Sequence, residues 1–155
     1  MQKKYTKSDF LKNTKIVNGW VLSECTASAE LLGSSAFNSI TIDLQHGMLD
    51  FVKCKMILQI LVKYNIFPIV RVPSNNLGLI NKCLDAGASG IICPLVNNGK
   101  ECSEFVENCY YPPKGVRSFG PTIAGISNNN YFISSNNEIL SAVMIETKES
   151  VSNLD

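Results

Sequence analysis

Short apolar runs rich in β-branched residues alternate along this chain with longer stretches whose apolar positions recur at helical spacing. Ile16-Val17-Asn18-Gly19-Trp20-Val21-Leu22 reads as a first strand. A helix through Ala29-Glu30-Leu31-Leu32 follows, which Ser23 or Thr26 can cap and Gly33 can end. Ser39-Ile40-Thr41-Ile42-Asp43 is a second strand. From Leu49 to Tyr64, apolar residues at Phe51, Ile57, Leu58, Leu61 and Val62 predict a helix, with Asp50 capping its start. Phe67 to Val72 is a third strand, with Pro68 near its beginning, where a missing N–H matters least. Asn76 opens a helix that runs to Asp85 and stops at Ala86-Gly87. Gly90 to Leu95 is a fourth strand and Lys100 to Asn108 a fourth helix. The stretch from Tyr110 to about Asn130, rich in Pro, Gly, Ser and Asn, predicts a long loop of the kind that is usually functional or disordered. Ala142 to Glu146 is a fifth strand, and a further helix is starting at Ser150.

Such alternation implies a parallel sheet. A doubly wound sheet and a (β/α)8 TIM-type barrel both produce it. No Gly-x-Gly-x-x-Gly or Walker-type loop follows any strand, which weakens the nucleotide-binding versions. A barrel typically takes about 250 residues. If the chain is a barrel, five strands in 155 residues make it a single partial barrel domain over 1–155, truncated after about five strand–helix units, with strands six to eight missing. Two sheet edges are then left open to pairing or aggregation.

Composition narrows the class. With 45% hydrophobic and only 17% charged residues, the chain can build a core and does not read as disordered. A formal net charge of +1 offers nothing to nucleic acid or an anionic membrane. The start, Met1-Gln2-Lys3-Lys4-Tyr5-Thr6-Lys7, lacks the apolar core of a signal peptide, and no apolar run approaches the roughly 20 residues of a membrane helix. A soluble cytoplasmic protein is expected. The six cysteines are scattered without a Cys-x-x-Cys pair, and there is one histidine, so reduced thiols are expected rather than a zinc or redox site.

In parallel α/β proteins the chemistry collects just past the carboxyl ends of the strands. Here the second strand ends in Asp43, followed by Gln45 and His46; the third carries Arg71; the fifth ends in Glu146-Thr147. A carboxylate such as Glu146 is a hard oxygen ligand suited to Mg2+ or Mn2+. Arg71 offers a planar donor fork to a carboxylate or a developing enolate oxygen. His46 is the one side chain type whose ordinary pKa suits proton transfer near neutrality. Asp85 sits at a helix end, where a salt bridge is the default reading, and Asp50 reads as a cap. No lysine stands at a strand end, which argues against a Schiff-base mechanism.

Ile42-Asp43-Leu44-Gln45-His46-Gly47, Val70-Arg71-Val72-Pro73, Leu84-Asp85-Ala86-Gly87-Ala88, Tyr111-Pro112-Pro113-Lys114-Gly115-Val116-Arg117-Ser118-Phe119-Gly120-Pro121 and Val143-Met144-Ile145-Glu146-Thr147 together resemble the HpcH/HpaI family of class II aldolases. The likeness runs from about Gly19 to Asp155 in the right order, and the Tyr-Pro-Pro-x-Gly-x-Arg-Ser stretch is its most specific part. The resemblance implies a (β/α)8 barrel, an oligomer that is commonly a hexamer, and a divalent cation (Mg2+, Mn2+ or Co2+). It implies cleavage of a 4-hydroxy-2-oxo acid to pyruvate, or a close relative, and an aldehyde. By residue it makes Glu146 a metal-binding carboxylate, and Arg71 the group that holds the keto oxygen. His46 becomes the proton-transfer residue, Asp85 the carboxylate that orients it, and Asp43 an acid near metal-bound waters. Gln45 stands where many members have Glu. The second metal carboxylate belongs to a Gly-Pro-x-Asp segment after the sixth strand, which this chain does not contain. Two other readings stay open at this point: a citrate lyase β-like lyase acting on a CoA thioester, and an inactive fragment without a catalytic role.

Overall fold

Five strands, β1 (Asn18–Val21), β2 (Ser39–Asp43), β3 (Phe67–Arg71), β4 (Gly90–Cys93) and β5 (Leu140–Val143), form one sheet in the computed structural model, which describes residues 5–12 and 15–154. The polar start Met1-Gln2-Lys3-Lys4 and the final Asp155 lie outside the described residues. All neighbouring strands are parallel, and their order in space is their order in sequence. That order decides between the two parallel architectures. A doubly wound sheet reverses direction at a switch point, whereas a barrel adds each strand beside the last. This is the barrel order, carried through five strands.

The helices are α1 (Lys7–Leu11), α2 (Thr26–Gly33), α3 (Phe51–Leu61), α4 (Leu77–Asp85), α5 (Gly99–Cys109), α6 (Ile123–Ser127), α7 (Tyr131–Glu138) and α8 (Lys148–Ser152). Side-chain caps start the three amphipathic ones: Asp50 accepts from Lys53 N–H, Asn76 from Leu79 N–H and Asn98 from Glu101 N–H. Gly87, at φ 109°, takes the left-handed step that ends α4. No helix among the described residues is long and apolar enough to cross a membrane.

Alternation along each strand separates two faces. Val21, Ile40, Ile42, Val70, Ile91 and Cys93 pack against Ala29, Cys54, Ile57, Leu61, Ile80, Leu84 and Phe105 in one cluster between sheet and helices. Each fully buried Ile, Leu or Val there stabilises by roughly 1.5–3 kcal/mol. The other face is polar on one side: register sets Asn18 beside Ser39, Trp20 beside Thr41, and Asp43 beside Arg71. Ser39, Thr41 and Asp43 are all fully buried, so this column must be hydrogen-bonded internally. All six cysteines are free thiols, four of them buried, and burial pushes Cys93 up to about 11 and Cys109 up to about 12.

Two local expectations are corrected. The fifth strand ends at Val143, so Glu146 stands in the loop beyond it and not at the strand's last position. The stretch expected as an unbroken loop holds α6, and α7 follows it; Tyr131-Phe132-Ile133-Ser134-Ser135-Asn136-Asn137-Glu138 is poor in strong helix formers and forms by packing. Helix α1, which the sequence pattern does not predict, follows the polar start, and Thr6 and Asp9 make a reciprocal capping box at its beginning.

Candidate active site

Asp43 and Arg71 are the last residues of two adjacent strands and meet across the ladder. Arg71 Nε donates to Asp43 Oδ1 at 2.9 Å and Nη2 to Oδ2 at 2.6 Å, a bidentate fork. The backbone N–H groups of Gln45 and His46 also donate to Asp43 Oδ1, at 3.0 and 3.3 Å, and fold the chain into a tight turn past β2. Burial pushes the Asp43 carboxyl up, but Arg71 and the two N–H groups outweigh it and hold it below the ordinary carboxylate range. A carboxyl depressed in this way contributes stability that is complete above about pH 4 and is lost as pH falls through the lower native value. The unfolding midpoint of the native chain should therefore fall more steeply between about pH 5 and 3 than that of Asp43→Asn. Circular dichroism melts across that range measure it; parallel slopes would remove Asp43 as the titrating group.

The third Arg71 nitrogen is engaged differently. Nη1 makes a 3.7 Å contact with Met144 Sδ, a weak acceptor. The guanidinium also lies over the Trp20 ring, 4.7 Å from its centroid. The bond to Asp43, and with it the nearby charges of Asp43 and Glu146, raises the Arg71 pKa, so its charge is permanent.

Glu146 is exposed, and its Oε1 accepts the Leu95 N–H at 2.8 Å. Leu95 has φ 55°, in the left-handed region that a branched-chain residue rarely enters. Such strain is kept where surrounding structure over-determines it. Here the β4–α5 loop is tied to the β5–α8 loop by Thr147 Oγ1 donating to Asn97 Oδ1 at 2.5 Å and by Asn153 Nδ2 donating to Asn97 O at 2.9 Å. The two loops together fix where the Glu146 carboxylate stands.

His46 is exposed on the turn after β2, and its ring has no hydrogen-bond partner among the described residues. Gly47 closes that turn so tightly that a Cβ would stand 2.2 Å from Asp43 O. Beside it, Gln45 Oε1 is shielded from solvent and takes no donor from the described residues, which leaves a buried acceptor for a water. Among the described residues, no group of three or more His, Cys, Asp or Glu gathers closely enough to hold a metal ion. Glu146 offers one carboxylate toward a cation, not a complete set.

Asp85 is not brought to His46 within this chain. Helix α4 runs back from the Arg71 end of the sheet, so its last residue stands where the strands begin. There Arg117 Nη2 donates to Asp85 Oδ1 at 2.7 Å, with the Arg117 side chain fully buried and Asp85 19% exposed. Arg117 lies 4.3 Å from the Tyr111 ring centroid and donates to Tyr131 Oη at 3.1 Å. Burial raises the Asp85 carboxyl above its ordinary value, and Arg117 offsets this only in part. Asp85 is thus half of a buried ion pair anchoring the Tyr111–Arg117 segment, the salt bridge that its helix-end position suggests.

Trp20, Leu95 and Met144 are contacts of the site that reading strand ends does not find. Period-two alternation puts Trp20 on the same face as Asn18, so that signal was present. Nothing in sequence marks Leu95, because its part is played by a backbone N–H.

Residues 18–155 match the family model described as HpcH/HpaI aldolase/citrate lyase. The hydroxypyruvate/pyruvate aldolase of Rhizorhabdus wittichii is 34% identical over 138 residues, covering 88% of this chain and 55% of that protein. The 4-hydroxy-2-oxo-heptane-1,7-dioate aldolase of Escherichia coli is 32% identical over 139 residues, covering 87% and 53%. The crystal structure of an HpcH/HpaI aldolase from Desulfitobacterium hafniense DCB-2 superposes with a TM-score of 0.86 at 20% identity, over 97% of this chain and 60% of that one. At that identity the last likeness is one of fold. The chain spans about half the length of the curated relatives it matches.

Proposed function

Because the chain belongs to the HpcH/HpaI aldolase/citrate lyase family, we propose that it forms the first five strand–helix units of a (β/α)8 aldolase. That enzyme cleaves a 4-hydroxy-2-oxo acid to pyruvate, or a close 2-oxo acid, and an aldehyde. Further strands would pair with the open edges of β1 and β5 and close the barrel. The observation that supports this reading best is the Asp43–Arg71 fork: it spends two donors of the guanidinium on a buried carboxylate and leaves Nη1 with only a sulfur.

Charge at the site calls for a further cation. Asp43 neutralises Arg71, and Glu146 adds a negative charge close enough to act on Arg71, so an anionic 2-oxo acid meets a net negative site. A divalent cation such as Mg2+, Mn2+ or Co2+ would reverse that balance, and when bound would polarise the 2-oxo group as a Lewis acid. Glu146 is the residue of this chain that would hold it. Asp43 is fully engaged by protein donors and serves to orient Arg71. In the retro-aldol direction a base takes the proton of the C4 hydroxyl, the C3–C4 bond breaks, and the electron pair passes into the enolate of the 2-oxo acid. Arg71 stabilises that developing negative oxygen. His46, exposed and with no ring hydrogen bond among the described residues, would move the proton at the hydroxyl. Protonation of the enolate at C3 then gives pyruvate.

Turnover of a 4-hydroxy-2-oxo acid, with pyruvate read by coupled reduction, tests the function; a protein that binds Mn2+ yet releases no pyruvate from such substrates would refute it. Glu146→Gln is expected to raise the Mn2+ concentration for half-saturation by about 10–100-fold or more, since changing even an outer-shell partner of a metal typically costs that much. Calorimetric Mn2+ titration checks this without turnover, and an unchanged affinity would take Glu146 out of the metal site.

A further inference from the structure

We infer that Trp20 is the positioning residue for Arg71, fixing which donor of the guanidinium meets the substrate. This rests on the reading of Arg71 as the group that receives the 2-oxo acid. The argument starts one strand away, at Asn18. Its side-chain amide sits among Ser39 Oγ, Thr41 Oγ1 and the indole N–H, and one amide orientation satisfies all of them. In that orientation Trp20 Nε1 donates to Asn18 Oδ1 at 2.9 Å, Thr41 Oγ1 donates to the same oxygen at 3.0 Å, and Asn18 Nδ2 donates to Ser39 Oγ at 2.8 Å. Ser39 and Thr41 are fully buried, so the amide that holds the indole is itself held by an immobile strand. The indole is therefore tethered at its nitrogen while its ring face meets Arg71 at 4.7 Å.

Two constraints then act on one planar group. Asp43 fixes Nε and Nη2 in the plane of the guanidinium. A bidentate carboxylate leaves rotation of that plane about the line between the two groups as the soft motion. The stacked indole opposes it, because a cation is held best over the face of a Trp ring. What remains are the second N–H of Nη2 and the two of Nη1, the nitrogen that Asp43 does not engage and that contacts Met144 Sδ. The chain of control runs Ser39 and Thr41, Asn18, Trp20, Arg71, with Asp43 as the second support. None of the first four needs to touch substrate.

Trp20 is also the only tryptophan in the chain, so its emission reports on this stack alone. In the first measurement, without ligand, Arg71→Met and Asn18→Ala are each expected to shift that emission; a spectrum unchanged in both would show that the stack does not exist in solution and would overturn the inference. In the second, calorimetry with oxalate, a planar stand-in for the enolate of a 2-oxo acid, is run on the Mn2+-loaded protein. Trp20→Leu is expected to weaken oxalate binding by about tenfold, in line with a partly desolvated cation–π contact. Trp20→Phe keeps a ring face and should stay within about threefold of the native protein. A merely structural role would not separate the two variants. Equal binding by Trp20→Leu and the native protein would overturn the inference, and so would a native protein that does not bind oxalate. Oxalate binding that follows this order in a protein with no retro-aldol turnover would remove the aldolase reading and leave the positioning role standing.

Discussion

Arg71→Ala is expected to lower retro-aldol turnover by about 10^2–10^3-fold, the loss typical of deleting one preorganised donor to a developing oxyanion. The size follows from how the guanidinium is held. Its charge is permanent, only 12% of its side chain is exposed, and Asp43 and Trp20 fix its plane. Nothing need reorganise when negative charge appears on the substrate oxygen. Arg71→Lys should be nearly as inactive, because an ammonium cannot span both Asp43 oxygens and still present a donor outward. The lysine variant has a second use: it leaves Asp43 with a cation nearby, which separates loss of chemistry from loss of fold. The measurement is kcat for a 4-hydroxy-2-oxo acid with coupled detection of pyruvate, on variants shown folded by circular dichroism. Activity of Arg71→Ala within about threefold of the native protein would refute the assignment.

The architecture was largely legible in sequence because its determinants are local and periodic. Strand β2 is a five-residue run bounded by polar turns, α3 and α4 begin at Asp50 and Asn76 caps, and α4 ends at Gly87. Choosing the barrel over a doubly wound sheet was not possible from alternation, since strand order is a long-range property. Along the fifth strand, the apolar run Val143-Met144-Ile145 invited placement of the strand two residues late. Pairing with β4 ends at Val143 instead, opposite Cys93, the last residue of β4.

The same division holds at the site. Asp43, Arg71, His46 and Glu146 stand at strand ends or just past them, and counting from the strands found them. What pattern could not supply is which of them touch. Asp43 is the nearest carboxylate to His46 in sequence, yet from His46 it accepts only the backbone N–H, and its charge faces Arg71. Asp85 pairs with a residue 32 positions away in a segment without regular periodicity. Pairings at that separation are set by packing of whole elements, not by spacing.

The Asp85–Arg117 pair yields the largest stability effect. Asp85→Asn should destabilise the fold by about 3 kcal/mol, because it leaves the Arg117 charge buried without its carboxylate. For a domain of this size that corresponds to a Tm lower by very roughly 10 °C. The reverse deletion should be milder. Arg117→Met frees Asp85, which is partly exposed and already raised in pKa by burial, so the carboxyl can take a proton instead of remaining charged. The sign of its pH dependence follows: a carboxyl raised above its unfolded value favours the fold when protonated, so Arg117→Met should regain stability as pH falls toward the ordinary carboxylate range. Removing both charges, in Asp85→Asn with Arg117→Met, should recover much of the loss, since no buried charge is then left without its partner. Thermal melts of the three variants give a double-mutant cycle with a coupling of about 2 kcal/mol or more. Additive losses would show that the two side chains do not depend on each other. A carboxylate whose stability cost vanishes when Arg117 is also removed is there to hold the Tyr111–Arg117 segment against α4, whatever the chemistry at the far end of the strands.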